Sequence, residues 1–124
     1  MHDDVMDNAD TRRNERCWHL ISKDKGFGLI GVNDGCHLSV VVYKILQKYF
    51  RSASYYADLV NLFTDCLYHT YTGQCLDMLI SSENIDWNNV TLSNYKSIVL
   101  EKTCYYSFIL PVSSAMILVS HSGG

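Results

Sequence analysis

Leu38-Ser39-Val40-Val41-Val42-Tyr43-Lys44-Ile45-Leu46-Gln47-Lys48-Tyr49 is the stretch on which the fold class turns. Its apolar positions Leu38, Val41, Val42, Ile45, Leu46 and Tyr49 recur at three and four residues, the spacing of one helix face and not the alternation of a strand. Asn33-Asp34 stands just ahead and predicts an N-cap, because a short side-chain oxygen can accept an early helical amide proton. Upstream, Thr11 to Gly28 mixes charges with glycines and reads as a loop. The polar segment before it reads as the end of a helix, with Asp3, Asp4 and Asp7 close together.

Downstream, Ser52 or Ser54 predicts the cap of a second helix running to about Ile80. Its apolar positions Leu59, Leu62, Phe63, Cys66, Leu67, Leu76 and Leu79 keep helical spacing. Gly73 inside that run costs about 1 kcal/mol relative to alanine, which points to close packing or a site. Ser81 to Asn89 is a polar break, and a third helix is expected from Thr91 or Ser93 to about Val119. Pro111 lacks an amide proton and predicts a kink there. Tyr105 to Leu110 is rich in strand formers, but the flanking helical spacing favours helix. The expected fold is all-α, with three long helices and the stub of a fourth carrying the aspartates.

At 124 residues the chain falls in the size range of one domain, and 48% apolar against 19% charged residues is a core-forming composition. A net charge of −3 argues against a nucleic-acid partner, which needs a basic face. Cys17, Cys36, Cys66, Cys75 and Cys104 are odd in number and widely spaced, so reduced thiols in a cytoplasmic protein are expected rather than a disulfide framework. The most apolar run, Phe108 to Val119, is too short for a membrane span and reads as a buried helix.

On a helix, Asp3 and Asp7 lie one turn apart, with Cβ atoms about 5–6 Å from each other. Two such carboxylates repel unless a cation sits between them. Magnesium suits them, since it takes oxygen ligands and is commonly held by one or two carboxylates plus substrate phosphates. Asp4, on the adjacent face, is expected to hydrogen-bond a metal-bound water. Three aspartates in isolation are more often a solvated acidic patch. Thr11-Arg12-Arg13 changes that balance, because arginine is the side chain best suited to bidentate phosphate binding.

Asp3-Asp4-Val5-Met6-Asp7, then Thr11-Arg12-Arg13, then Cys17-Trp18 resembles the first aspartate-rich motif of the farnesyl and related trans-prenyl diphosphate synthases, whose pattern reads DDxMD, TRRG and CW. Gly28-Leu29 and Val32-Asn33-Asp34 resemble that family's next segment. Tyr68-His69-Thr70-Tyr71-Thr72-Gly73-Gln74-Cys75-Leu76-Asp77 resembles its YQT-x-x-GQ-x-x-D stretch. Tyr95 to Val99, Lys102-Thr103, Tyr106-Ser107-Phe108 and Leu110-Pro111 resemble its YKSIV, KT, YSF and LP segments. The likeness covers essentially the whole chain and makes residues 1–124 the expected central part of a single isoprenoid-synthase domain, incomplete at both ends.

The resemblance implies roles. Asp3 and Asp7 would bind Mg2+, with Asp4 supporting from the second rank. Arg12 and Lys102 would contact the allylic diphosphate, and Arg13 the isopentenyl diphosphate. Thr70, Gln74 and Asp77, spaced to share one helix face, would line the reaction centre with Thr103. Each has a plain alternative: Thr70 bonding back into its helix, Gln74 facing solvent, Lys102 pairing with Glu101 or Asp77. The implied reaction is magnesium-dependent condensation of dimethylallyl or geranyl diphosphate with isopentenyl diphosphate, in a homodimeric parent enzyme.

Asn14 replaces the glycine of TRRG, Asp10 adds a carboxylate near Arg12, and His69 replaces the glutamine of YQT. Asparagine tolerates positive φ better than most residues, so Asn14 can keep the loop's shape. These departures leave open a terpene synthase that ionises an allylic diphosphate alone, although retention of Arg13 favours coupling. A non-catalytic helical fragment is the other alternative, because the family's second aspartate-rich motif would lie beyond Gly124. On that basis the isolated chain is expected to be inactive.

Overall fold

The computed structural model describes residues 1–81 and 85–121, and within them the chain is all-α apart from one two-stranded hairpin. The helices are α1 (His2–Met6), α2 (Trp18–Asp24), α3 (Ile30–Phe50), α4 (Tyr56–Ile80), α5 (Leu92–Ile98) and α6 (Leu110–Ser120). A π-helix, Val99–Ile109, joins α5 to α6, and β1 (Thr11–Arg12) pairs antiparallel with β2 (Glu15–Arg16). The chain divides into two compact units, Met1–Lys48 and Tyr49–Gly124, which are described separately.

In the first unit the expected loop from Thr11 to Gly28 is instead a hairpin and a helix. The two hairpin-turn residues, Arg13 and Asn14, have φ of 53° and 66°, the pair of positive values that a type I′ turn requires. Asn14 thus takes the positive φ that asparagine tolerates better than most residues. Mixed charge and two glycines hid this hairpin, because its strands are two residues long and show no alternation.

Both short helices end the same way. At α1 the amide of Asn8 (φ 50°) donates to the Val5 carbonyl at 3.2 Å, and that of Ala9 to Asp4 at 2.9 Å. At α2 the amide of Gly26 (φ 79°) donates to Lys23 at 2.9 Å, and that of Phe27 to Ser22 at 3.0 Å. These are Schellman ends, in which one left-handed residue lets the next amides satisfy carbonyls the helix would leave unpaired. They fold the chain back sharply twice within thirty residues.

α3 begins at Ile30, ahead of the expected Asn33-Asp34 cap. Asp34 lies within the helix, and its carboxylate accepts the indole N–H of Trp18 at 2.8 Å. The same turns of α3 contribute Gly31 and Gly35, both buried. A Cβ on Gly31 would stand 3.1 Å from His19 Cα, and one on Gly35 would overlap the His2 ring. Missing side chains at these two positions thus let α2 and α1 lie against α3.

In the second unit α4 ends at Ile80 as expected, but it starts at Tyr56 without a side-chain cap from Ser52 or Ser54. Its buried positions Leu59, Cys66 and Gly73 form a seam at seven-residue spacing, joined by Gln74. Side chains along this seam shrink from leucine to thiol to nothing. At Gly73 the opposing backbone fills the space, since a Cβ there would overlap the Lys102 amide and lie 2.6 Å from Lys102 Cα. Close packing is therefore the reason for this glycine.

The polar break is partly occupied by a 3-10 turn, Trp87–Asn89, while Ser82, Glu83 and Asn84 lie outside the described residues. Thr91 caps α5, its hydroxyl accepting the Asn94 amide proton at 3.1 Å. From there Leu92–Ser120 is a continuous helix of 29 residues. Pro111 sits at the start of α6 with helical dihedrals before it, and the irregularity expected as a kink is spread upstream as the π-helix. A proline ring needs room and offers no proton to the preceding turn, and a wider helix accommodates both.

This helix corrects two further expectations. It is not too short: by length and composition alone it is long and apolar enough to cross a membrane. Nor is its last part buried, for Phe108, Met116 and Val119 are 66%, 67% and 74% exposed. One face of the helix covers α4, and many of its other side chains are exposed. Glu101 and Lys102 interrupt the apolar character midway, each paired to α4.

Candidate functional site

The expected site residues divide between the two units. Asp3, Asp4, Asp7, Arg12 and Arg13 belong to the first; Thr70, Gln74, Asp77, Lys102 and Thr103 to the second.

In the first unit, the Schellman end of α1 returns Arg12 to the aspartates, and pairing with β2 holds its strand. Its Nη2 donates to Asp3 Oδ2 at 2.8 Å and its Nε to Asp4 Oδ1, one guanidinium bridging two neighbouring carboxylates. The amide of Cys17 donates to the Asp10 carbonyl at 2.9 Å and closes the base of the hairpin. Asp4 is buried, only 6% exposed, and also lies 3.3 Å from the amino group of Met1. Asp7 is the exposed C-cap of α1, its amide donating to the Asp3 carbonyl at 2.9 Å, so the two carboxylates sit one turn apart. Arg13 stands exposed at the hairpin tip.

Burial of the Asp4 carboxyl opposes ionisation, but Arg12's hydrogen bond and charge and the nearby amino group outweigh it and hold the carboxyl below its usual range. Arg12 is raised in turn, chiefly by its bond to Asp4. A carboxyl lowered on folding stabilises the native state fully above its ordinary value, 3.8, and stops doing so as pH falls through the lower folded value. Acid titration should therefore release the hairpin below pH 3.8. Amide exchange at Thr11 to Arg16 reads this release, and an Arg12→Leu variant should show fast exchange at every pH.

Among the described residues no group of three or more His, Cys, Asp or Glu is placed to hold a metal by itself. The donor chemistry still fits magnesium as a partial anchor. Asp3 and Asp7 offer hard carboxylate oxygens one helical turn apart, as suits a cation that keeps waters and takes phosphate oxygens for the rest of its shell. Asp4, buried and held by Arg12, fits a supporting place.

The same unit holds a cavity of about 390 Å³, lined by Val5, Asn8, His19, Lys23, Leu29 and Val32 among others. Sequence reading gave no hint of it, because its walls come from four separate turns of chain.

In the second unit, Lys102 Nζ donates to Asp77 Oδ2 at 2.6 Å across the α4–π-helix contact. Of the plain alternatives for Lys102, the one with Asp77 is therefore realised. Gln74 is buried, 6% exposed, and does not face solvent. Thr70 is half-buried beside the Cys66 thiol, whereas Thr64 and Thr72 bond back into α4. Burial pushes the Cys66 thiol up, and the Thr70 hydroxyl opposes that shift. Thr103 follows Lys102 in the π-helix, half-buried. Thr70, Gln74 and Asp77 thus all belong to α4, and of the three it is Asp77 that meets the Lys102 ammonium.

One cluster went unread in the sequence. His69 Nδ1 lies 2.6 Å from Glu101 Oε2, and its ring stacks on Tyr105 at 3.7 Å and 8°. His69 stood out only as a departure from a pattern. Its partners lie more than thirty residues away, a separation that local spacing does not reveal.

Comparison with known proteins gives a consistent picture. The sequence profile of the family described as polyprenyl synthetase matches residues 1–123. Farnesyl pyrophosphate synthase 1 of Lupinus albus is 42% identical over 121 residues, which is 97% of this chain and 34% of that protein. Farnesyl diphosphate synthase of Dictyostelium discoideum is 41% identical over 94% of this chain and 31% of its own length. Farnesyl pyrophosphate synthase of Bos taurus is 41% identical over 98% of this chain and 34% of its own. The chain spans about a third of the length of these curated relatives.

Proposed function

This chain belongs to the polyprenyl synthetase family, and from that premise we propose that the complete protein carrying it condenses an allylic diphosphate with isopentenyl diphosphate, as a farnesyl diphosphate synthase. The observation that carries the reading is the acidic turn of Asp3, Asp4 and Asp7 with Arg12 folded onto it, in a chain similar along nearly its whole length to enzymes of that name. The helices fit the family's all-α isoprenoid-synthase fold, and we read residues 1–124 as the central part of one such domain.

In this reading Asp3 and Asp7 hold Mg2+, which when bound neutralises charge gathering on the departing diphosphate. Asp4 orients Arg12, and Arg12 and Arg13 present guanidinium protons to phosphate oxygens. Lys102 moves its ammonium from Asp77 to the leaving group. The Thr70 and Thr103 hydroxyls and the Gln74 amide supply oxygen dipoles to the carbon that becomes positive. Helix packing excludes water until the double bond of isopentenyl diphosphate attacks, and the released diphosphate accepts the proton lost from the carbon beside the resulting cation, which leaves the product's new double bond. The apolar surfaces of α3 and α6 support further partners for these helices, from the rest of the enzyme and from a second subunit. The unpaired cysteines support a reducing, cytoplasmic location.

The test is incubation of the complete protein with magnesium, dimethylallyl diphosphate and isopentenyl diphosphate. Geranyl and farnesyl diphosphate are the expected products. Hydrocarbons or alcohols formed from farnesyl diphosphate alone, with no coupled product, would overturn the reading.

A further inference from the structure

Three positions on one stripe of α4, His69, Gly73 and Asp77, all meet the same short part of the π-helix. His69 meets Glu101 and Tyr105, Gly73 meets the Lys102 backbone, and Asp77 meets the Lys102 ammonium. The stripe covers about 12 Å of helix at 1.5 Å per residue. Hydrogen bonds of the i→i+5 kind are poorer than those of an α-helix, so a π-helix persists where tertiary contacts hold it.

The Asp77 contact cannot hold this turn throughout a reaction in which Lys102 turns to an anionic ligand. Once the ammonium leaves Asp77, the side-chain tie at that rung is gone. A second tie that does not involve Lys102 must then keep the turn in place. His69 supplies it from the other end of the stripe, pinned by Glu101 on its edge and by Tyr105 on its face, with Tyr68 edge-on at 5.7 Å. The imidazole is 30% exposed and the Glu101 carboxylate 22%, so the pair is partly sheltered from solvent competition.

We propose that His69 is a positioning residue, which through Glu101 and Tyr105 locks the π-helical turn that carries Lys102 and Thr103. The proposal rests on the assignment of Lys102 to diphosphate binding, but the tie itself has a readout that needs no turnover. The complete protein is compared with His69→Ala, Glu101→Gln, the double variant and Tyr105→Phe, by amide exchange and by steady-state kinetics.

His69→Ala is expected to speed exchange at residues 101–105 about tenfold while leaving residues 110–120 unchanged. It should raise KM for the allylic diphosphate about tenfold or more, with a smaller fall in kcat and KM for isopentenyl diphosphate unaltered. Glu101→Gln should act in the same direction, and the double variant should be no worse than the poorer single one, since both remove one tie. Tyr105→Phe keeps the stack and should match the parent protein. Unchanged exchange at residues 101–105, or additive effects of the two substitutions, would overturn the proposal. A parent protein without coupled product defeats the proposed function instead, and the exchange comparison still decides the tie.

Discussion

Gly73→Ala should destabilise the protein by about 3 kcal/mol, although alanine is the better helix former. The intrinsic preference for alanine is worth about 1 kcal/mol in the opposite direction. Geometry decides the sign. The added methyl would overlap the Lys102 amide and approach the Glu101 carbonyl carbon and Lys102 Cα to 2.6 Å each. These are backbone atoms of a helix and cannot rotate away as a side-chain tip can. Relief requires α4 and the π-helix to separate, which lengthens both the Asp77–Lys102 and the His69–Glu101 contacts. Thermal unfolding measures the loss. Denaturation indistinguishable from the parent would show that the two helices do not approach as closely as described.

Asp7→Asn and Asp4→Asn should fail in different ways. Asp7 is exposed at the end of α1, so its neutral variant should lose less stability than that of buried Asp4, and about 10²–10³-fold in magnesium-dependent kcat/KM in the complete protein. Asp4 is buried under Arg12, and its neutral variant breaks a charge-assisted bond that holds the hairpin. There the expected kinetic loss is smaller, about 10–100-fold, accompanied by faster hairpin exchange. Parallel titrations of rate against magnesium and of stability against denaturant separate the two. Equal stability loss from both substitutions would mean that Asp7 supports the fold as much as Asp4 does.

Much of the helical frame is legible from residue spacing alone. The stripes from Leu38 to Tyr49 and from Leu59 to Leu79 lie in α3 and α4, and α4 ends at Ile80 as the break in pattern indicates. Helix starts are less legible. Asn33 and Asp34 have the chemistry of a cap, but the Trp18 indole takes the Asp34 carboxylate, and α3 begins earlier with glycines that pack against α1 and α2. The hairpin is hidden because two-residue strands carry no period, and only the positive φ of Arg13 and Asn14 reveals it. The π-helix is hidden for a different reason: hydrophobic spacing does not distinguish a slightly wider turn from an α-turn over eleven residues.

The candidate site is legible as residue types in order and not as pairings. Carboxylates, guanidiniums and an ammonium can be marked along the chain, but each choice of partner depends on a tertiary turn. Arg12 finds Asp3 and Asp4 through the backbone reversal at the end of α1, and Lys102 finds Asp77 through the approach at Gly73. His69 finds Glu101 and Tyr105 by the same approach.

The bridge from Arg12 to the two aspartates separates assembly from loading. A cluster of carboxylates normally resists being gathered until a cation arrives, and small metal-dependent domains unfold when a chelator removes it. Here the chain brings its own counter-charge, carried on a hairpin a few residues away, so the acidic turn can be built before any ion is present. On the proposed function, metal and diphosphate would enter a turn whose counter-charge is already in place.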